Sequence, residues 1–313
     1  MFTLAHLSDL HATPIPLRSV PSMSFKQTLG WLKWTLKRSK EHRTAVLDAL
    51  VEDLRTAQPD HVVVTGDLTN LGIEAEFPAA ITWLQRLGGP QQVSIVPGNH
   101  DTYTFSSPAV LWHHWLEYLQ SDSQEQTSVQ ETYPPDREHL HDFPTLRIRG
   151  PIALIGVSSA QPTNLFYANG SVGKEQLERL EQLLHSLAES GLCRVVLIHH
   201  PLSKEGIAQR RRLSDAQAVR DILQRAGADL VLHGHIHRTS VLTVPGRNND
   251  IPVIGVRSSS AIGHKPHKQS RYHLYRIERL DPPQDSHRFR ITMVTRGYDE
   301  TQGCFQHTKE RVL

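Results

Sequence analysis

Five apolar runs, each ending in polar residues of a matching kind, constrain this chain more than any other feature of it. The clearest is residues 62–70, VVVTGDLTN. Three β-branched residues in a row read as a strand buried on both faces, and Gly66 ends it just before Asp67. An acid at the carboxyl end of a buried strand lies where open α/β sheets bind ligands. Taken alone, Asp67 is equally well explained as a turn aspartate bonded to its own backbone. The other four runs decide between the two. Residues 2–8 alternate apolar and polar and deliver Asp9 and His11, which in an extended chain would point the same way. Residues 93–96 run into Pro97-Gly98-Asn99-His100-Asp101. Residues 194–198 end in His199-His200-Pro201, and 230–232 in His233-Gly234-His235-Ile236-His237.

Between these runs lie helical patterns. Val46, Leu47, Leu50 and Leu54 form one face of a helix over 44–57, and a second helix over 74–87 is stopped by Gly88-Gly89-Pro90. Further helices are expected over 108–120, 174–189 and 214–225, and a further strand over 152–157. The repeating β-α-β order implies a parallel sheet. After His237 the pattern turns to β, with strands expected over 240–244, 253–256, 272–277 and 289–294.

Collected, the strand ends carry two carboxylates (Asp9, Asp67), one amide (Asn99) and four imidazoles (His11, His199, His235, His237). They divide into two nearly equal nitrogen-and-oxygen sets, a donor chemistry that suits zinc, iron or manganese. Asp67 is the natural bridge between the sets. Any one of these histidines is best explained as a hydrogen-bonded loop residue. That account fails jointly, because five separate strand ends would each need such a residue by accident.

With these motifs in hand, the chain resembles the calcineurin-like metallophosphoesterases. Their pattern is D-x-H, G-D, G-N-H-D/E, a histidine before a proline-containing turn, and G-H-x-H. Here it reads SDLH at 8–11, GDLTN at 66–70, GNHD at 98–101, HHP at 199–201 and GHIH at 234–237. The resemblance implies an α/β sandwich of two mixed β-sheets flanked by helices, over one domain of residues 1–313. It implies one metal ion held by Asp9, His11, Asp67 and His237, and a second held by Asp67, Asn99, His199 and His235. His100 then contacts the phosphoryl group or leaving oxygen, with Asp101 orienting it. His200 borders the substrate. Two ions of this kind clamp a phosphate and convert a shared water to hydroxide near neutral pH, which attacks phosphorus in line with the leaving oxygen.

The expected reaction is hydrolysis of a small phosphodiester, as in the bacterial cyclic-nucleotide and glycerophosphodiester enzymes that share the HHP and GHxH forms. The alternatives are cleavage of a lipid-linked nucleotide pyrophosphate, as in the UDP-diacylglucosamine hydrolases, and a phosphomonoesterase. A non-enzymatic scaffold is disfavoured because every ligand position is filled. The formal net charge of +2 gives no support to a nucleic-acid partner.

Two insertions stand outside this frame. Residues 13–43 hold Trp31 and Trp34 among Lys26, Lys33, Lys37, Arg38 and Lys40. A basic amphipathic helix of this kind can meet an anionic membrane. Its apolar spacing is irregular and Gly30 interrupts it, so the favoured reading packs the tryptophans on the domain with the lysines in water. Residues 121–141 read as a polar, exposed insertion. The polar, basic stretch 257–271 could contact a substrate phosphate, and the favoured reading is a solvated loop. Two cysteines, Cys193 and Cys304, form no disulfide framework, and the opening residues resemble a strand rather than a signal peptide, so a cytoplasmic location is expected. Nothing in the sequence specifies an oligomeric state.

Overall fold

The computed structural model describes residues 1–122, 143–263, 269–284 and 287–313. Two six-stranded sheets form its centre. The first runs β12 (Cys304–Val312), β11 (His287–Asp299), β10 (Arg271–Gln284), β1 (Phe2–Leu7), β2 (His61–Val64), β3 (Val93–Ile95). β1, β2 and β3 are parallel, and β10 to β12 form an antiparallel extension joined to β1. The second runs β4 (Thr145–Arg149), β5 (Ile152–Val157), β6 (Cys193–Ile198), β7 (Leu230–His233), β9 (Ile251–Gly255), β8 (Ser240–Val244). Here β5, β6, β7 and β9 are parallel, and β4 and β8 run antiparallel at the two edges. Both sheets are therefore mixed, as the motifs implied.

Strand alternation sorts the apolar residues into two cores. On one face of the second sheet, Leu154, Val195, Leu197, Leu230 and Leu232 join Leu4, Leu7, Leu50, Leu84 and Trp115 in the main core. Their neighbours Ile155, Val196, Ile198 and Val231 face the opposite way. There they meet Leu183 and Leu184 of α6 (Lys174–Ser186), and Val219 and Leu223 of α7 (Ala216–Ala226). The first sheet is flanked by α3 (Thr44–Ala57), α4 (Glu76–Leu87) and α5 (Ser107–Leu119). No helix among the described residues is long and apolar enough to cross a membrane.

β4 and β12 lie outside the expected strands. In β4 the alternation is masked by Arg147, which is buried and donates to the carbonyls of Gln120, Pro90, Val93 and Glu117. β12 is a mostly exposed edge strand whose Lys309, Glu310 and Arg311 read as surface loop. The expected polar insertion at 121–141 falls, except for its first two residues, outside the described residues, as do 264–268 of the basic stretch.

The insertion after β1 is ordered. A 3-10 turn (Leu17–Ser22) leads to α1 (Phe25–Lys33), capped by a reciprocal Ser24–Gln27 box. It continues as a π-helical turn (Trp34–Arg38) and α2 (Ser39–Glu41). Gly30 does not interrupt α1: a side chain there would press on Leu71 and Tyr103, so the glycine allows close approach. Trp31 and Trp34 pack with Ile15, Leu71, Ile73 and Tyr103, matching the favoured reading. The cations do not match it uniformly. Lys33 and Lys40 are exposed, whereas Lys26 is half-buried and donates to the carbonyls of Tyr103 and Thr163.

Candidate metal centre

The parallel strands of both sheets end at one place, and the backbone there is unusual. β1 stops at Leu7, so Asp9 and His11 do not reach a common point by strand alternation as expected. They do so through left-handed turns, with φ of 52° and 43°. Asp67 (57°), His235 (67°) and His237 (49°) share this conformation. Among the described non-glycine residues only Gln58 and Phe166 join them. Left-handed backbone at a residue with a side chain costs on the order of 1–3 kcal/mol and persists where surrounding structure enforces it. Two motif glycines permit the crowding. A Cβ on Gly98 would strike the Asp67 backbone and carboxylate, and one on Gly234 would strike Ser8.

The side chains form overlapping nitrogen-and-oxygen clusters. Asp9, His11 and His237 make one, Asp67, His199 and His235 a second, and His11, Asp67 and His100 a third that links them, with the ligand atoms of each cluster within 4.8 Å of one another. His237 Nε2 lies 3.1 Å from Asp9 Oδ1. Asp67 Oδ2 lies between the clusters, 3.4 Å from His199 Nε2 and 4.0 Å from His11 Nε2. Asn99 Oδ1 lies 3.1 Å from His199 Nε2 and 2.8 Å from His235 Nδ1. All seven residues proposed from the motifs therefore meet.

The donor set can be tested against a pair of cations. Three rings each spend one nitrogen on a backbone carbonyl: His11 Nδ1 on Thr69, His199 Nδ1 on Thr65, His235 Nε2 on Arg211. A neutral imidazole has one N–H, so in His11 and His235 these bonds leave a lone pair on the other nitrogen. The His235 lone pair then faces the acceptor oxygen of Asn99, and His11 Nε2 is buried with no hydrogen-bond partner. Oxygen and nitrogen lone pairs turned on each other repel; a cation among them removes the conflict, and the carbonyls supply the outer shell that orients ligand imidazoles. Burial, with the neighbouring His42 and Arg38, holds His11 far below the usual imidazole range, and burial with His199 lowers His235 to about 3. Both rings are thus neutral and able to ligate. Burial also opposes charge on His199, but Asp67 and Asp9 outweigh it and raise the ring to about 9, so without an ion its Nε2 holds a proton toward Asp67, in the place a cation would take. The residues fit two ions.

The family model described as calcineurin-like phosphoesterase matches residues 2–239. The chain belongs to that family. No curated protein matches the chain. Among solved structures, a dimetal phosphatase from Danio rerio superposes with a TM-score of 0.62 at 14% identity, covering 99% of this chain and 98% of its own. A purple acid phosphatase from yellow lupin, Lupinus luteus, gives 0.54 at 10% identity, covering 99% of this chain and 53% of its own. At these identities the likeness is one of fold.

Within this calcineurin-like phosphoesterase, two motif residues take roles that differ from those expected. Asp101 does not orient His100. Its carboxylate accepts from the backbone N–H groups of Gly98 (2.8 Å), Asp67 (2.8 Å) and Thr69 (2.9 Å), tying the β2 and β3 ends together. Burial and the charge of Asp67 push it up to about 7, against the pull of those donors. His100 is instead held at Nδ1 by the Asn70 carbonyl (2.5 Å), and its Nε2 accepts from Arg38 (3.0 Å). His200 does not line the cleft. It is buried, with Nδ1 on Ser159 (2.8 Å) and Nε2 on the Ala168 carbonyl (3.2 Å), so both ring nitrogens serve the 159–168 loop.

Three contributors to the phosphoesterase centre carry no motif. Arg38 arrives from the π-helical turn of the insertion. His42 packs on His11 with ring centroids 4.7 Å apart and is held by Ser260 at 2.7 Å. Glu76, fully buried at the start of α4, accepts from the backbone N–H groups of Asn70, Leu71 and Ile73 and from the Thr13 hydroxyl, fixing the loop after Asp67. The basic content of 25–43 was the only sequence signal toward Arg38; His42 and Glu76 had none.

Proposed function

We propose that this phosphoesterase hydrolyses a small phosphodiester at a dinuclear metal centre. The observation that carries the reading is the convergence of two histidine-and-carboxylate groups on buried Asp67, with the His235 lone pair turned on the Asn99 oxygen. Asp9, His11, Asp67 and His237 would hold one ion, and Asp67, Asn99, His199 and His235 the other. Manganese, iron and zinc all suit these donors. When bound, such ions stabilise charge on a phosphoryl group and acidify water.

The chain's own groups supply the rest. His100 Nδ1 is committed to Asn70, so Nε2 is the atom that faces the phosphoryl group. Arg38 donates to that nitrogen and keeps further N–H groups of its planar guanidinium for phosphoryl oxygens. In hydrolysis the water oxygen forms the new bond to phosphorus as the bond to the leaving oxygen breaks. Arg38, held in place by His100 Nε2, is positioned to stabilise the charge that develops. A cleft of about 550 Å³ opens beside Asn99 and His100 and gives room for the second substituent of a diester. That space, together with the HHP and GHIH motif forms, favours a diester over a monoester.

The test is turnover of bis-p-nitrophenyl phosphate and p-nitrophenyl phosphate with Mn²⁺, alongside elemental analysis. Close to two metal equivalents per chain and a higher kcat/KM for the bis ester are expected. A higher value for the monoester would assign the centre to a phosphomonoesterase, and an active protein with zero or one ion would end the dinuclear reading.

A further inference from the structure

The cleft beside His100 has two chemically distinct parts. One wall is α1 and the π-helical turn; the other is the loop 163–168, with residues 210–211 closing one end. Lys26 joins the walls, donating to Thr163 and Tyr103 while its ammonium lies 4.3 Å from the Tyr103 ring centre. Arg38, Arg210 and Arg211 line the cleft, and among the described residues none of them pairs with a carboxylate. Burial, then Arg38 and Arg210, lower Arg211 from the usual guanidinium value, so these cations repel one another within the cleft. Glu41 is the one acid among the lining residues, against Lys26, Lys33, Arg38, Arg210 and Arg211, and this excess of positive charge raises the local concentration of anions.

Another part of the lining is apolar and faces outward. Leu29, Trp34, Leu36 and Phe166 line the cleft, and Leu36 (76% exposed) and Phe166 (62%) are left uncovered at its mouth. Phe25 and Leu32 extend the same uncovered surface along α1. Lys33 reaches over the Phe166 ring at 5.2 Å, keeping a cation at the edge of the apolar part. Large side chains left bare around a site opening mark a binding surface rather than ordinary exposure.

We propose that this cleft is the leaving-group subsite and that it takes an amphiphilic phosphoester. Its phosphate-bearing head meets Arg38, Arg210 and Arg211, and its alkyl chain lies along Leu29, Trp34, Leu36 and Phe166. This deepens the phosphoesterase reading and rests on it. A nucleoside would use the arginines and an aromatic ring but would leave the aliphatic row from Leu29 to Leu36 bare.

The experiment is calorimetric binding of alkylphosphonates, which are not hydrolysed, to Mn²⁺-reconstituted full chain below their micelle concentrations. Decylphosphonate is expected to bind at least tenfold more tightly than ethylphosphonate. Its eight added methylenes gain by burial along the apolar wall, and a cleft open on one side captures only part of the full gain. The ratio should fall toward one in the Leu36→Asp/Phe166→Ser double variant, whereas Arg211→Gln should weaken both probes alike. Equal affinities of the two probes in the unsubstituted protein would overturn the proposal, as would tighter binding of adenosine monophosphate than of decylphosphonate. If bis-p-nitrophenyl phosphate is still turned over in that case, the metal-centre reading stands and only the amphiphile is lost. Absence of both metal and turnover would end both.

Discussion

Position 67 shows how much one carboxylate is asked to do. Asp67 Oδ1 accepts from the His100 backbone N–H at 2.7 Å, while Oδ2 lies between His11 and His199. A Cβ at Gly98 would strike its carboxylate, and one at Gly66 would strike Gly98 and His199. Asp67→Asn keeps the shape but removes the charge that both ions would share. Loss of an outer-shell partner alone costs about 10–100-fold at metal sites, so losing the bridge should cost about 100-fold or more in kcat/KM and lower bound metal toward zero. Asn99→Ala should reduce it only toward one equivalent. Elemental analysis of the two variants checks this, and an Asp67→Asn protein retaining both ions would remove the bridge. The seven donors were readable in the sequence because each follows a strand and belongs to a short motif. His42, Arg38 and Glu76 were not, because only the path of the chain through the insertion and back carries them to the centre.

Among the elements, α6 and α7 belong to the fold and not to the site. They cover the face of the second sheet that turns away from the main core. Leu184 is fully buried there. Leu184→Ala should therefore destabilise the protein by about 2–5 kcal/mol in denaturant unfolding, through lost contacts and a residual cavity. Metal content and KM should stay unchanged, since strand alternation puts the altered core behind the sheet; a loss of metal in the folded variant would contradict this separation. The helical periodicities of α3, α4, α6 and α7 were readable because each has one apolar face. The insertion was readable only as a helix with tryptophans. Which of its side chains stay bare depends on the loop 163–168 packed opposite, and no local pattern reports that.

The whole molecule concentrates unfavourable features where its two sheets meet. Buried Asp9 and Asp67, five left-handed residues and the opposed lone pairs of His235 and Asn99 all lie at the converging strand ends. Bound ions compensate them in the native state only, so metal removal should lower stability by mass action. An ion held at about a thousandfold over its Kd contributes about 4 kcal/mol. Stripping the protein with a strong chelator should then lower Tm by on the order of 5–10 °C, and Mn²⁺ should restore it. An unchanged Tm would mean that the apo centre carries no such stress.

The chain's order of apolar runs and polar ends was sufficient to specify mixed α/β layering and the seven donors. Those features are local: a buried run, a glycine and the residue after it. The sequence alone did not specify how Asp9 and His11 converge, since strand alternation and left-handed turns both bring them to one point; the backbone bonds of Asp9 to Gly66 and of His11 to Asp67 hold the second. Nor did it specify that Asp101 ties two loops together, or that His200 serves the 159–168 loop. The tertiary structure decided these because a hydrogen bond needs a partner at about 3 Å, and the partners come from segments 30 or more residues away.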